Sequence, residues 1–247
     1  MSQTPSLDEL WNSAQPGTEP FGPTHLSGLP EGAQRYLEHA ISPGTLLASA
    51  VRLRMHGEIK LRRWRPFQAE QVIHHHRGMI WSARVRMNGL PVYGSDRIVD
   101  REGSMLWKLL RIFPLVKTSG FDVTRSATGR LAAESIWLPS RFCGDEVLWS
   151  GDSSAPRAEF LVQGQLIALD LAIENDGRIE GVQLSRWGQP EGGEFRYEDF
   201  GGIVEKERTF GGYTIPSRIR VGWYFGAERF DTEGEFFRVT IDEAEFR

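Results

Sequence analysis

Residues 51–61 read VRLRMHGEIKL. Val51, Leu53, Met55, Ile59 and Leu61 alternate with Arg52, Arg54, His56, Glu58 and Lys60. Successive side chains of a strand point to opposite faces, so a period of two describes a strand with one buried and one solvated face. The pattern recurs in Met79, Trp81, Ala83, Val85 and Met87, and again in Ile215, Ile219, Val221 and Trp223. Turn signals at Arg63–Pro66, Arg77-Gly78, Asn88-Gly89 and Asp176-Gly177 separate the runs. Asn-Gly and Asp-Gly close tight hairpins because they tolerate positive φ. Residues 51–99 therefore read as a meander, with Met105–Leu110 following as a strand or short helix. Further strands are predicted at 147–150, 157–162, 165–173, 178–187, 194–210, 215–224 and 236–241, about eleven or twelve in all. No strand–helix–strand rhythm occurs, which argues against a parallel sheet.

Many strands in hairpin order with one apolar face need closure or cover. The predicted fold is mostly β: a large curved antiparallel sheet, open or closed as a barrel, with short helices as plug or lid. A helix over 6–14 is capped by Ser6 with Glu9 three places on. A second starts near Pro30 and carries Ala33, Tyr36, Leu37 and Ala40 on one face. A third is predicted over 126–137, capped by Ser126 or Thr128. Residues 1–28 read as an N-terminal segment with a short helix and a Pro/Gly-rich linker, and residues 29–247 as a single β-rich domain.

The net charge is −4 over 247 residues, which gives no general attraction to phosphate backbones or anionic membranes, so no nucleic-acid partner is expected. The lone Cys143 cannot form an internal disulfide and reads as a small packed residue. Met1–Gly17 has neither a basic segment nor an apolar core, and no run of 18 apolar residues occurs, so a cytoplasmic location without a transmembrane segment is expected. The oligomeric state is not legible.

Five stretches carry a resemblance: PFQAEQ at Pro66–Gln71, MIWSARV at Met79–Val85, GSDRI at Gly94–Ile98, RLAAESIWLPS at Arg130–Ser140 and GGYTIPSRIRVGW at Gly211–Trp223. In order and spacing they resemble an uncharacterised bacterial domain-of-unknown-function family over roughly residues 29–245. Nothing about catalysis follows from that resemblance. The strand-rich, helix-plugged pattern is also similar to the unclosed β-barrels of bacterial lipoprotein carriers. It implies a concavity that takes acyl chains. Those carriers are exported, and this chain is expected to depart from them, since Met1–Gly17 does not read as a signal sequence.

Several polar residues stand out. His74 and His76 share a strand face, and two imidazoles at that spacing can chelate a metal. A hairpin about Arg63–Pro66 sets them beside Arg54 and Arg52, which disfavours a cation, so no metal or cofactor is expected. Arg130 and Glu134 stand at i and i+4 and can pair, with a surface pair as the default. Asp96 shares an apolar face with Val92 and Ile98 and needs a partner such as Arg84, Arg97 or Arg130. Glu70 shows the same signal more weakly, and Glu70 with Asp96 could do acid–base work if they met. Gly201-Gly202 and Gly211-Gly212 read as turn glycines. No nucleophile elbow, phosphate loop, HExxH or CxxC occurs.

The expected function is binding of a small hydrophobic or lipid-like molecule in the concave face. Met79, Trp81, Met105, Trp107 and Trp137 would line the site, and Asp96, Arg130 and Glu134 would orient a head group. The alternatives are an enzyme of unknown reaction using Asp96, Arg130 and Glu134, with Glu70 or His56 as further candidates, and an interaction scaffold marked by an exposed apolar patch.

Overall fold

The alternation that begins at Val51 builds an antiparallel meander of six strands: β1 (Ala50–Leu61), β2 (Arg63–His74), β3 (Gly78–Met87), β4 (Leu90–Val99), β5 (Glu102–Leu109) and β6 (Phe113–Ser119). The structure, a computed structural model, describes residues 5–87 and 89–247. A second meander runs from β7 (Leu148–Gly151) through β8 (Pro156–Val162), β9 (Gln165–Ile173), β10 (Ile179–Gly188), β11 (Arg196–Phe210) and β12 (Tyr213–Trp223) to β13 (Glu235–Phe246). β13 pairs antiparallel with β1, which joins the two meanders into one sheet ordered β6 to β1 and then β13 to β7. The sheet is open, with β6 and β7 at its edges. Bulges at Arg54/Met55 and across Val204–Glu207 add local bend and twist.

Among the described residues three α-helices accompany the sheet: α1 (Leu7–Asn12), α2 (Glu31–Ala40) and α3 (Phe121–Ala133). α1 has the expected capping box, with Ser6 and Glu9 satisfying each other's backbone N–H. Leu10 and Trp11 pack on Ala50, Val72 and Ile80. These strand residues have the opposite parity to Val51, Ile73 and Trp81, so α1 covers the convex face. The larger core lies on the concave side, where Tyr36 and Leu37 of α2 and Leu131 and Ala132 of α3 meet Leu53, Trp81, Phe160 and Ile219. α3 follows the β6 edge strand and lies between β4–β6 and β8–β10, so it fills the space between the two arms of the open sheet. None of the described helices is long and apolar enough to cross a membrane.

Four sequence expectations are corrected. Among the described residues there are thirteen strands, because β6 was missed: its residues are all exposed and show no alternation. α3 begins five residues early, at Phe121, since Gly120 at φ 114° turns the chain out of β6. Ser126 and Thr128 lie inside it, Thr128 Oγ1 donating back to Thr124 O at 2.9 Å, and Glu134–Trp137 continue it as a tighter turn. The first hairpin turns at Arg62 (φ 59°), with Leu61 opposite Arg63, and Pro66 lies within β2. His74 therefore faces Ala50 rather than Arg54, and Arg54 faces Glu70. Gly201 and Gly202 are not turn residues but lie inside β11, where a Cβ on Gly201 would stand 2.3 Å from Val182 O. Gly211-Gly212 does form a turn, between β11 and β12. The expected Asn88-Gly89 turn involves Asn88, which lies outside the described residues; β3 and β4 pair on either side of it, Met87 opposite Leu90.

Candidate functional site

Asp96 is the residue from which the site is built. Register places it opposite Trp81 on β3 and Met105 on β5, on the concave face. A carboxylate there must be compensated. Arg130, on the last turn of α3, supplies the charge: its Nη1 donates to Asp96 Oδ2 at 3.2 Å and its Nε to Glu134 Oε1 at 2.7 Å. Trp107 Nε1 donates to Asp96 Oδ1 at 3.0 Å, and Gln71 Nε2 donates to Glu134 Oε2 at 2.6 Å. The Arg130 guanidinium lies 5.0 Å from the Trp81 ring centroid. The side chains of Asp96, Arg130 and Glu134 are only 18, 18 and 13% exposed. The pair read as a surface default is thus an interior clasp tying α3 to β4 and β2.

Burial lifts Asp96 above the ordinary carboxylate range, while Arg130 and the Trp107 N–H pull it back only in part. Burial lowers Arg130, but Glu134 and Asp96 together outweigh it, so this guanidinium is held above its usual value. A second guanidinium, Arg186 on β10, stands nearby. It donates from Nε to Ser126 O at 3.1 Å and lies over the rings of Phe200 and Trp223 at 4.4 and 5.0 Å. No carboxylate among the described residues forms an ion pair with it, and burial, with Arg130 adding to it, pushes it down to about 9.

Beside this cluster is a cavity of about 310 Å³. Its apolar wall comes from Trp81, Trp137, Ile219, Trp223, Phe236 and Phe237, and its polar side from Asp96, Arg130, Glu134 and Arg186. Trp81 Nε1, on a residue of this wall, has no hydrogen-bond partner among the described residues; nor has Oε1 of Gln71, which is fully buried and not part of the lining.

Of the residues singled out in the sequence, Trp81, Asp96, Met105, Arg130, Glu134 and Trp137 line this cavity together. Met79 does not; it is fully buried beside Gln71, 3.6 Å from its Nε2 to Sδ. Trp107 is also outside the lining and acts on Asp96 through its N–H. Its ring covers Gly94, where a Cβ would lie 2.0 Å from the indole. Trp137 Nε1 donates to Pro216 O at 3.0 Å, which fixes the end of the plug on β12. Glu70 does not meet Asp96: it faces Arg54 and Ser82 on the convex side and accepts from Arg52 at 2.6 Å. His56 is exposed and paired with Asp242 at 2.9 Å. The His74 and His76 rings lie 6.4 Å apart, and among the described residues no group of three His, Cys, Asp or Glu is placed to hold a metal. Burial pushes the Cys143 thiol up to about 12, which keeps it protonated and unreactive.

Arg186 and Gln71 were missed. Each carries the signal that exposed Asp96, a polar residue on an apolar parity: Arg186 follows Val182 and Leu184, and Gln71 stands between Ala69 and Ile73. Phe236 and Phe237 gave no such signal, because two aromatics in a row break the alternation near the start of β13.

No curated protein is similar to this chain. Among solved structures, a DUF1329 family protein from Desulfovibrio piger is 10% identical, covering 81% of this chain and 86% of its own, with a TM-score of 0.45. A LolA superfamily protein from Nitrosomonas europaea is also 10% identical, covering 87% of this chain and 91% of its own, with a TM-score of 0.42. Residues 27–246 match a family described as a family of unknown function, DUF6920, and over that length the chain belongs to it.

Proposed function

We propose that this protein binds a small hydrophobic or lipid-like molecule in the cavity between the concave face and the helical plug. The observation that carries the reading is the cavity itself, about 310 Å³ with an apolar wall and its polar groups gathered on one side. An apolar cavity of about 150 Å³ already takes up benzene, so this one has room for a larger molecule. The segregation of polar from apolar lining matches an amphipathic ligand, with its apolar part against Trp223, Phe236 and Phe237. An acceptor on the head group would satisfy Trp81 Nε1, the partnerless donor of a residue that lines the cavity. The test is displacement of a fluorescent fatty-acid probe from the purified protein. Saturable uptake, competed by unlabelled acyl compounds, supports the reading, and no uptake across chain lengths sinks it.

The same cluster favours a second reading, as an enzyme. A buried carboxylate held above its ordinary range beside a cavity is a recurrent feature of catalytic sites. Against it, one guanidinium and two neutral donors already occupy Asp96 and Glu134. A chemical change in a bound molecule that is abolished in Asp96→Asn would favour this second reading.

A further inference from the structure

The β1–β6 half of the sheet carries an unusual distribution of charge. Three of its hairpin tips, at Leu61–Arg63, at Met87–Leu90 and at Leu110–Ile112, lie at the same end, as the antiparallel register requires. Residues 59–69 hold four basic residues, 84–90 hold two and 103–121 hold three, and none of these stretches contains an Asp or Glu. These nine positive charges belong to a chain whose net charge is −4. The acidic residues bordering this end are already paired: Glu58 of β1 and Glu235 of β13 with Arg238, and Asp231 and Glu233, which flank the Thr232 carbonyl that accepts from Lys60, with Arg220 and Arg229.

The same tips expose large apolar side chains. Ile112 is 70% exposed, Phe113 59%, Leu115 52% and Leu90 47%. Arg111 lies over the Tyr93 ring at 4.4 Å, and Arg238 over Trp64 at 4.3 Å, so cations and aromatic rings alternate across this end. The cavity leads towards it: Ile59 and Phe237, half-buried on its wall, pair with each other two residues from Leu61. The opposite end of this half is tied off, where Gln163 Nε2 donates to His76 O at 3.2 Å and Arg141 bridges His75 O and Leu161 O.

We propose that this end of the sheet is a docking surface for an anionic lipid bilayer. Ile112, Phe113 and Leu90 would enter the interface, while Lys108, Arg111 and Lys117 would meet the lipid headgroups. Apolar insertion and electrostatic attraction together are what bind a peripheral protein to such a surface. The exposed aliphatic residues separate this end from a nucleic-acid surface, which needs phosphate contacts and stacking rings but no projecting Ile or Leu. The docking reading goes beyond ligand binding and does not require it, although a cavity beside a bilayer surface suits a lipid-like cargo.

The experiment is vesicle flotation with the full chain, comparing phosphatidylcholine alone with phosphatidylcholine mixed with phosphatidylglycerol, at low and high salt. The expected result is binding to the mixed vesicles only, weakened by salt. Each basic residue near an anionic surface contributes about fivefold to partitioning, so Lys108→Gln/Arg111→Gln/Lys117→Gln should bind about a hundredfold more weakly. Ile112→Ser/Phe113→Ser should lose vesicle binding while keeping its circular dichroism and Tm, since both side chains are exposed. Absence of binding to mixed vesicles overturns the proposal. So does binding that both variants retain, binding to a DNA duplex in its place, or self-association through the β6 edge that buries these residues. Fatty-acid probe uptake, read on the same samples, reports on the cavity separately, so docking and ligand binding can fail independently.

Discussion

Arg130→Met isolates the interior clasp. In the native protein the guanidinium serves two carboxylates at 2.7 and 3.2 Å, all three side chains being less than a fifth exposed. Removing one member of a buried ion pair costs about 3–5 kcal/mol, because the remaining charge is stranded. Here two are stranded, but each keeps one neutral donor, Trp107 for Asp96 and Gln71 for Glu134. The expected loss is therefore at the lower end, about 3 kcal/mol. For a chain of this length that is a fall in Tm of about 6–12 °C. The sign of its pH dependence follows. Asp96, already held above its ordinary value by burial, loses the guanidinium that pulled it back, so the variant's deficit grows as pH rises through the carboxylate range and shrinks as pH falls. The triple replacement Arg130→Met/Asp96→Asn/Glu134→Gln should recover most of the loss, since no charge is left buried. Urea unfolding of the three proteins decides it. A loss below about 1 kcal/mol for Arg130→Met, the value of a solvated surface pair, would refute the account of the clasp.

Three further outcomes follow. Ala133→Phe, at the end of α3 on the cavity wall, should reduce fatty-acid probe affinity by about tenfold or more, about 1.4 kcal/mol, with little change in Tm, because the ring enters existing space. His75 is held down to about 3 by burial, with Arg141 and the two flanking histidines adding to it. The unfolded chain takes up that proton near 6.5, so stability present above that pH is lost below it, by up to about 1.4 kcal/mol per pH unit, and His75→Gln should flatten the slope in acid unfolding. Gly94→Ala should displace the Trp107 ring and its bond to Asp96, costing about 1–3 kcal/mol and changing the indole fluorescence.

The sheet was legible in the sequence because half-buried strands write their two faces in alternate letters, as Val51–Leu61 does. β6 was not, since a strand with no buried face has no pattern to read. The start of α3 was hidden for a related reason: Gly120 breaks the chain between two exposed stretches, while Ser126 and Thr128 mimic caps inside the helix. Asp96 announced itself as a carboxylate on an apolar face, and its partner Arg130 was among the candidates. That the two meet depends on α3 crossing from the β6 edge into the concavity, a long-range placement that no local pattern encodes. The first hairpin shows the limit of turn signals. Pro66 marked the turn, but Arg62 took the left-handed conformation instead, and the four-residue shift moved His74 from Arg54 to Ala50.

Native mass spectrometry of the protein as purified, with extraction and identification of whatever leaves it on activation, reads directly whether the cavity carries a ligand. The expected result is a population carrying one amphipathic molecule per chain, released as an acyl-containing species and diminished in Ala133→Phe. A single unliganded mass, joined by no thermal shift across a panel of fatty acids and phospholipids, would contradict it.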